Sequence, residues 1–129
     1  MRALVWFRHD LRVDDNPALF HACEAAGDSA DGGVVAVFTI CPRQWREEHD
    51  WSDIKVWFLL ENLRVLKERL GTLNIPLKIV TVDDFSGVPG ALSQLVEETG
   101  CRRVYVNREY AWNEARRDEA VEREMEKIG

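Results

Sequence analysis

Four short apolar runs alternate along the chain with four longer segments in which apolar residues recur at helical spacing. Unbroken apolar runs of this length are typical of strands that are buried on both faces of a parallel sheet. The predicted strands cover residues 3–7, 34–40, 77–82 and 103–107. The predicted helices cover residues 17–26, 53–70, 88–99 and 113 to nearly 129. This alternation of strands and helices predicts an α/β domain.

Residues at the helix ends support these bounds. Asp15 or Asn16 can cap the first helix, because both side chains accept backbone N–H bonds, and Pro17 suits the first helical position. The other boundary residues are Ser52 before the second helix and three glycines near helix ends, Gly27, Gly71 and Gly100. Between the first helix and the second strand, residues 28–33 are predicted to form a polar loop.

Short connections and right-handed crossovers restrict the order of the predicted strands. They give the order 3-2-1-4 in a doubly wound, Rossmann-like parallel sheet with helices on both faces. Ligands of such sheets bind beyond the carboxyl ends of the strands, near the switch point, which here falls between strands 1 and 4. Segments 8–16 and 107–114 both lie at that point. We therefore expect them to form one functional site.

The second helix carries two apolar stripes. The first is predicted to pack on the sheet and comprises Val56, Leu59, Leu60, Leu63, Leu66 and Leu70. The second lies on nearly the opposite side and comprises Ile54, Phe58 and Val65, with Trp57 beside them. Two interpretations of the second stripe stay open. It is either a docking surface for further polypeptide, or a set of singly exposed apolar side chains, which are normal on protein surfaces.

Composition narrows the class of protein. A length of 129 residues allows one domain with its own core. The net charge is −6 and the sequence pI is about 5.1, so the chain lacks the basic surface that is typical of DNA-binding domains. Cys23, Cys41 and Cys101 suit neither a disulfide framework nor a zinc site, and we expect three free thiols in a reducing, cytoplasmic compartment. No run approaches the roughly 20 apolar residues of a membrane span, so we expect no membrane contact.

A charged turn follows the first predicted strand. Arg8, Asp10 and Arg12 alternate in sign, which favours an internal network of salt bridges and hydrogen bonds over direct contact with a ligand. Metal binding is disfavoured, because His9 and the neighbouring aspartates crowd one turn without a partner cluster elsewhere in the sequence. We therefore predict neither a metal site nor a catalytic residue in this chain.

Several motifs resemble those of the photolyase/cryptochrome family. The segment WFRHDLR at residues 6–12, with DNPAL at 15–19, is similar to the N-terminal signature of that family. The segment PRQW at 42–45 and the pairs Asn113-Glu114 and Arg117-Asp118 stand where the family carries similar motifs. The resemblance implies that residues 1–129 are one N-terminal α/β domain, which binds an antenna chromophore. The family's fifth strand is missing here, so strand 4 is expected to be an exposed edge through which the fragment forms a homodimer.

The resemblance also implies a binding site. Photolyases with a folate antenna hold its pterin ring with an Asn-Glu pair, which makes Asn113 and Glu114 the candidates for binding 5,10-methenyltetrahydrofolate. The alternative is an N-cap followed by an acidic residue at the positive end of the helix dipole. His49 and Trp51 are expected to flank the antenna, and the alternative for them is a solvated loop. A flavin-like antenna in the cleft of the sheet stays open.

For the whole protein, the resemblance implies a deoxyribodipyrimidine photo-lyase that repairs cyclobutane pyrimidine dimers in a light-dependent reaction. FAD and the damaged DNA would be bound by a C-terminal helical domain that is absent from this chain. The fragment alone is expected to bind folate weakly and to be inactive. One alternative is a cryptochrome blue-light photoreceptor. A free-standing small nucleotide-binding α/β protein is less favoured, because the glycine motifs of dinucleotide-binding and P-loop proteins are missing.

Overall fold

Four parallel strands form one sheet with the order β3-β2-β1-β4, which confirms the predicted fold class and strand order. The computed structural model describes residues 1–27 and 32–128, so most of the predicted polar loop 28–33 lies outside the described residues. The strands are β1 (Arg2–Phe7), β2 (Gly33–Ile40), β3 (Leu77–Thr81) and β4 (Arg103–Tyr105). Every side chain of β1 from Ala3 to Phe7 is buried, as a strand covered on both faces requires.

Four helices cover the sheet. They are α1 (Pro17–Ala26), α2 (Asp53–Thr72), α3 (Val88–Thr99) and α4 (Trp112–Ile128). The right-handed crossovers place α1 and α2 on one face, whereas α3 lies on the other face, where it packs against α4. Of the two predicted caps for α1, Asn16 is the one used, because its side chain accepts a hydrogen bond from the backbone N–H of Leu19. Ser52 caps α2 in the same way.

Several predicted boundaries are wrong by one or a few residues. Helix α2 continues through Gly71 to Thr72, and α4 begins at Trp112. Asn113 therefore lies inside the first turn of α4 and is not its N-cap, because the carbonyl of Ala111 accepts the first helical hydrogen bond, from the N–H of Ala115. Strand β4 ends at Tyr105, since its ladder with β1 has only three residue pairs.

Two short helical turns were not predicted. A π-helical turn spans Gln44–Glu48, and a 3₁₀ turn spans Phe85–Gly87. The buried side-chain amide of Gln44 joins them, because its Oε1 accepts a hydrogen bond from the N–H of Phe85. Both turns follow carboxyl ends of strands, so they shape the edge of the sheet at which ligands of such folds bind.

Helix α2 presents one apolar face to the sheet and a second to solvent. Leu63, Leu66 and Leu70 are buried, as predicted, whereas Leu60 is 41% exposed and was wrongly assigned to the packed face. The outer stripe is exposed along its length, and its members are Ile54, Trp57, Phe58 and Val65. Exposed aromatic side chains grouped on one helix face are a feature of interaction surfaces.

Strand β4 lies at one edge of the sheet and borders an open groove beside α4. The groove has a volume of about 1060 Å³, and its apolar lining includes Val96, Val104, Val121 and Met125. Because β4 pairs with β1 alone within residues 1–27 and 32–128, the backbone groups on its other side are available for pairing.

Within residues 1–27 and 32–128, no helix combines the length and the apolar composition that crossing a bilayer requires. The three cysteines are free, as predicted, and two of them are buried. Burial raises the pKa of Cys41 to about 11, so its side chain is a neutral thiol at physiological pH.

Candidate functional site

The Arg8 side chain joins the loop after β1 to α4. It is 3% exposed, its Nη1 donates to Asp118 Oδ1 at 2.7 Å, and its Nη2 donates to the carbonyl of Asn107. The predicted network is therefore present but is not internal to the turn. Asp10 accepts from the backbone N–H of Arg8, while the exposed guanidinium of Arg12 donates only to the carbonyl of Asp15.

Asn107, just beyond β4, ties the two predicted segments together. Its Nδ2 donates to Asp10 Oδ2 at 2.5 Å and to Asn16 Oδ1 at 2.8 Å, and its Oδ1 accepts from the N–H of Ala18 at 3.1 Å. Segments 8–16 and 107–114 thus meet at the switch point of the sheet, as the topology predicted.

Arg117 extends this network toward the surface. Its Nη2 donates to Glu109 at 2.6 Å and its Nε to Asp118 at 3.1 Å. The guanidinium lies 4.6 Å from the ring centroid of Phe85 and 4.8 Å from that of Trp6, against which the Arg8 guanidinium also packs. The two buried arginines thus share the partly exposed carboxylates of Glu109 and Asp118 as partners, which offsets the cost of burying their charges.

In the segment PRQW, at residues 42–45, the side chain of Trp45 lies in the core at the carboxyl end of the sheet. The π-helical turn buries Trp45, which packs near Phe38 and stacks on Trp51 with ring centroids 5.0 Å apart. Arg43, at the start of this turn, pairs with Asp84. Hydrogen bonds from Ser86 and from Arg43 hold the pKa of Asp84 below its ordinary value, so the pair is ionised at neutral pH.

The structure brings all four predicted antenna-binding residues together. His49 Nε2 lies 3.5 Å from Asn113 Nδ2 and 3.7 Å from Glu114 Oε1, and the His49 ring is 6.0 Å from the Trp51 ring. Phe85 contacts the same histidine edge to face, at 5.5 Å between ring centroids. Asn113 is exposed, whereas the other three residues are partly buried. The four residues form one patch with Asn113 at its exposed side, and their role in ligand binding stays a prediction.

Trp51 is covered by its neighbours. Trp45 stacks against it with an interplanar angle of 17°, and the ammonium of Lys55, in the first turn of α2, lies 4.2 Å from its ring centroid. Since Lys55 is exposed, a ligand could displace it, whereas Trp45 is fixed in the core. Sequence reasoning missed Lys55 and Phe85 as neighbours of the site, because only the tertiary fold brings them there.

The cleft between the carboxyl ends of β1 and β2 is filled by side chains. The remaining cavity has a volume of about 20 Å³, and its lining includes three predicted antenna-binding residues, His49, Trp51 and Glu114, together with Phe38, Trp45 and Phe85. A space of this size holds about one water molecule. A ring-sized ligand therefore has to bind on the outer side of this cluster. No group of three metal-ligating side chains occurs in the described part of the chain.

These features define a parallel α/β domain with a candidate ligand site at the switch point of its sheet. The model of the DNA photolyase family matches residues 3–129. The chain belongs to this family, and the resemblance seen in its motifs is confirmed.

Individual relatives agree with this assignment. A deoxyribodipyrimidine photo-lyase of Vibrio cholerae is 36% identical over 126 residues, which are 98% of this chain and 26% of the relative. A cryptochrome structure from Synechocystis sp. PCC6803 has the same fold, with a TM-score of 0.85 and 23% identity over 99% of this chain and 26% of its own. A class III photolyase structure from Agrobacterium tumefaciens gives a TM-score of 0.71 and 26% identity, over 99% of this chain and 24% of its own. The chain spans about a quarter of the length of these proteins.

Proposed function

We propose that this chain is the antenna-binding domain of a deoxyribodipyrimidine photo-lyase and that it binds 5,10-methenyltetrahydrofolate at Asn113, Glu114, His49 and Trp51. The observation that carries the proposal is the cluster at the start of α4, where His49 Nε2 lies within 3.7 Å of both Asn113 and Glu114. This cluster sits at the carboxyl edge of the sheet, where ligands of doubly wound folds bind.

The chemistry of these side chains fits a pterin. The Glu114 carboxylate can accept hydrogen bonds from the amino and ring N–H groups, while the Asn113 amide can both donate and accept. The Trp51 indole and the Phe85 ring supply apolar surface beside them. When bound, the folate would absorb near-ultraviolet light and pass its excitation to a flavin. The residues of this chain would bind and orient it.

The filled cleft disfavours a flavin-like antenna inside the sheet. A tricyclic ring there would have to displace Trp45 or Phe85, since the space left is only about 20 Å³. Both rings pack against other members of the cluster. Glu114, His49 and Trp51 line the same small cavity, so we propose that the folate binds on its outer side, where Asn113 is exposed.

The rest of the proposed activity concerns polypeptide beyond these residues. We propose that FAD and damaged DNA bind to a helical domain of the full-length gene product, that this chain alone repairs no DNA, and that repair is of cyclobutane pyrimidine dimers.

The exposed outer stripe of α2 is proposed to pack against that helical domain. Trp57 and Phe58 are 62% and 63% exposed, and the chain spans 26% of its Vibrio relative. The exposed free thiol of Cys23 supports a reducing, cytoplasmic location.

A near-ultraviolet absorption spectrum of the full-length gene product, with added 5,10-methenyltetrahydrofolate, tests the binding site. Glu114→Ala should weaken folate binding by about tenfold or more, since a hydrogen bond that involves a charged group is worth about 1.5–3 kcal/mol. Asn113→Ala should weaken it by several-fold, since the bonds of a neutral amide are worth about 0.5–1.5 kcal/mol each. Asn62→Ala and Glu122→Ala make the same chemical changes at exposed positions elsewhere and should leave the folate band unchanged. A band that persists in both site variants, or the absence of any band, would overturn the proposal. A bound folate without repair activity would instead favour the photoreceptor alternative.

We also propose that the 129-residue chain self-associates through the free edge of β4. Light scattering should show an apparent mass that rises toward that of a dimer as protein concentration increases. Val106→Lys should reduce the association, because Val106 lines the groove beside β4 and is 40% exposed, and an added charge opposes edge-to-edge pairing. A monodisperse monomer at high concentration would contradict this expectation.

A further inference from the structure

We propose that cations on the tryptophan rings beside the antenna site protect the excited antenna from quenching by electron transfer. The inference rests on the proposed folate site and concerns the interval after light is absorbed. An indole is the side chain that most readily gives up an electron. If an electron passed from an indole to a photoexcited folate and then returned, no bond would form and no net oxidation would occur, but the excitation would be lost as heat.

Two tryptophans in or next to the proposed site each carry a cation on the ring. Trp51 belongs to the site, and the Lys55 ammonium lies 4.2 Å from its ring centroid. Trp112 directly precedes Asn113, and the Arg116 guanidinium lies 4.6 Å from its ring centroid. A positive charge at this distance repels the positive charge that the ring acquires when it loses an electron. Both indoles are therefore poorer electron donors than an uncovered tryptophan.

The other three tryptophans fit the same arrangement. Trp6 lies deeper in the network, where the guanidinium groups of Arg8 and Arg117 lie 4.5 Å and 4.8 Å from its ring centroid. Within residues 1–27 and 32–128, no cation lies on the ring of Trp45 or Trp57. Trp45 is buried behind the indole on which it stacks, and Trp57 lies on the outer stripe of α2. The tryptophans without a cation are thus those that do not border the site.

Trp51 is the indole that most needs such a charge. Trp45 stacks on it with ring centroids 5.0 Å apart and an interplanar angle of 17°. Stacked rings share a positive charge, which makes loss of an electron easier, and the Lys55 ammonium opposes this effect. Within residues 1–27 and 32–128, no carboxylate oxygen lies within 4 Å of that ammonium, and the nearby carboxylate of Asp53 is paired with Arg46. The charge therefore acts on the ring without a close counter-ion.

Time-resolved fluorescence of 5,10-methenyltetrahydrofolate, bound at saturation to the full-length gene product, tests this role. The rate of quenching by Trp51 is the decay rate of the bound folate minus its decay rate in Trp51→Phe, which removes the indole and keeps a ring. Lys55→Met removes the charge, so this quenching rate should rise by about threefold, the scale of one exposed cation–π contact. In the combined Lys55→Met and Trp51→Phe variant the decay should be as slow as in Trp51→Phe, because no indole is left there to donate.

Lys67→Met is the matched control, because it removes the same charge from an exposed position later in α2 and should leave the decay unchanged. Arg116→Met should act as Lys55→Met does, through Trp112. A wild-type decay rate in both Lys55→Met and Arg116→Met would overturn the protective role and leave the proposed folate site intact. Faster decay in Lys55→Met that persists when Trp51→Phe is added would also overturn it, since the charge would then not act through the indole. Failure of folate to bind would overturn both this inference and the proposed function.

Discussion

Replacing Arg8 with methionine should lower the free energy of unfolding by about 3 kcal/mol, the scale on which removal of one partner of a buried ion pair destabilises a protein. Arg8 donates to Asp118 of α4 and to the carbonyl of Asn107 beyond β4. Methionine fills a similar volume without a charge, so the half-buried carboxylate of Asp118 would keep only the second arginine of the network as a partner. The loss of unfolding free energy therefore measures how much the contact between the loop after β1 and α4 contributes to stability.

Urea denaturation followed by circular dichroism measures this change in stability, and two further variants serve as controls. Arg12→Met removes an exposed arginine from the same turn and should change stability by no more than about 0.5 kcal/mol. Arg8→Lys should recover little, because an ammonium cannot reproduce the two diverging bonds of the guanidinium. If Arg8→Met and Arg12→Met destabilise equally, the buried network does not hold the two segments together.

The central strands could be predicted from the sequence because burial on both faces of the sheet requires an unbroken apolar run, which is visible in the sequence. Strands β1 and β2 lie in the middle of the sheet and are apolar almost throughout. The predictions for the other two strands were too long at their ends, since β3 and β4 lie at the sheet edges and pair on one side only. Residues 106 and 107 continue the extended pattern in sequence but lie beyond the residue pairs of β4 with β1, and Val82 lies just past those of β3, although its N–H still donates to the carbonyl of Ile40.

The π-helical turn over Gln44–Glu48 could not be predicted from local pattern. It depends on tertiary contacts, namely the stacking of Trp45 on Trp51 and the hydrogen bond between the Gln44 side chain and Phe85. Neither contact is encoded by a short-range periodicity. The same limit explains the predicted cap at Asn113, since the helix begins one residue earlier and leaves this side chain free to approach His49.

The candidate site was predictable in part. The topology alone placed segments 8–16 and 107–114 together, and the structure confirms that Asn107 joins them. Asn113 and Glu114 were chosen from the family resemblance, whereas the segment of His49 and Trp51 matches no family motif; the fold brings His49 close to Glu114 and to Trp51. Lys55 and Phe85 belong to elements whose distance from the site depends on packing across the sheet edge. No motif in the sequence marks them.

Replacing Trp45 with alanine should destabilise the domain by about 3 kcal/mol or more and weaken folate binding as well. Trp45 is 6% exposed, so its removal costs buried apolar contact and leaves a cavity at the end of the sheet. Trp51 would lose the ring on which it stacks, and His49, which packs on Trp51, would lose support from that side. One substitution should therefore affect both the fold and the binding patch.

The magnitude can be checked against an exposed tryptophan in the same chain. Trp57→Ala, at a position 62% exposed, should change the stability of the 129-residue chain by about 0.5 kcal/mol or less. Trp45→Phe keeps an aromatic ring in the cluster and should retain most of the stability and of the folate band. Urea denaturation followed by circular dichroism gives the stabilities, and near-ultraviolet titration of the full-length gene product gives the affinities. If Trp45→Ala lowers stability but leaves folate affinity unchanged, the Trp45–Trp51 stack supports only the sheet, and the antenna would have to be held by Asn113 and Glu114 without Trp51.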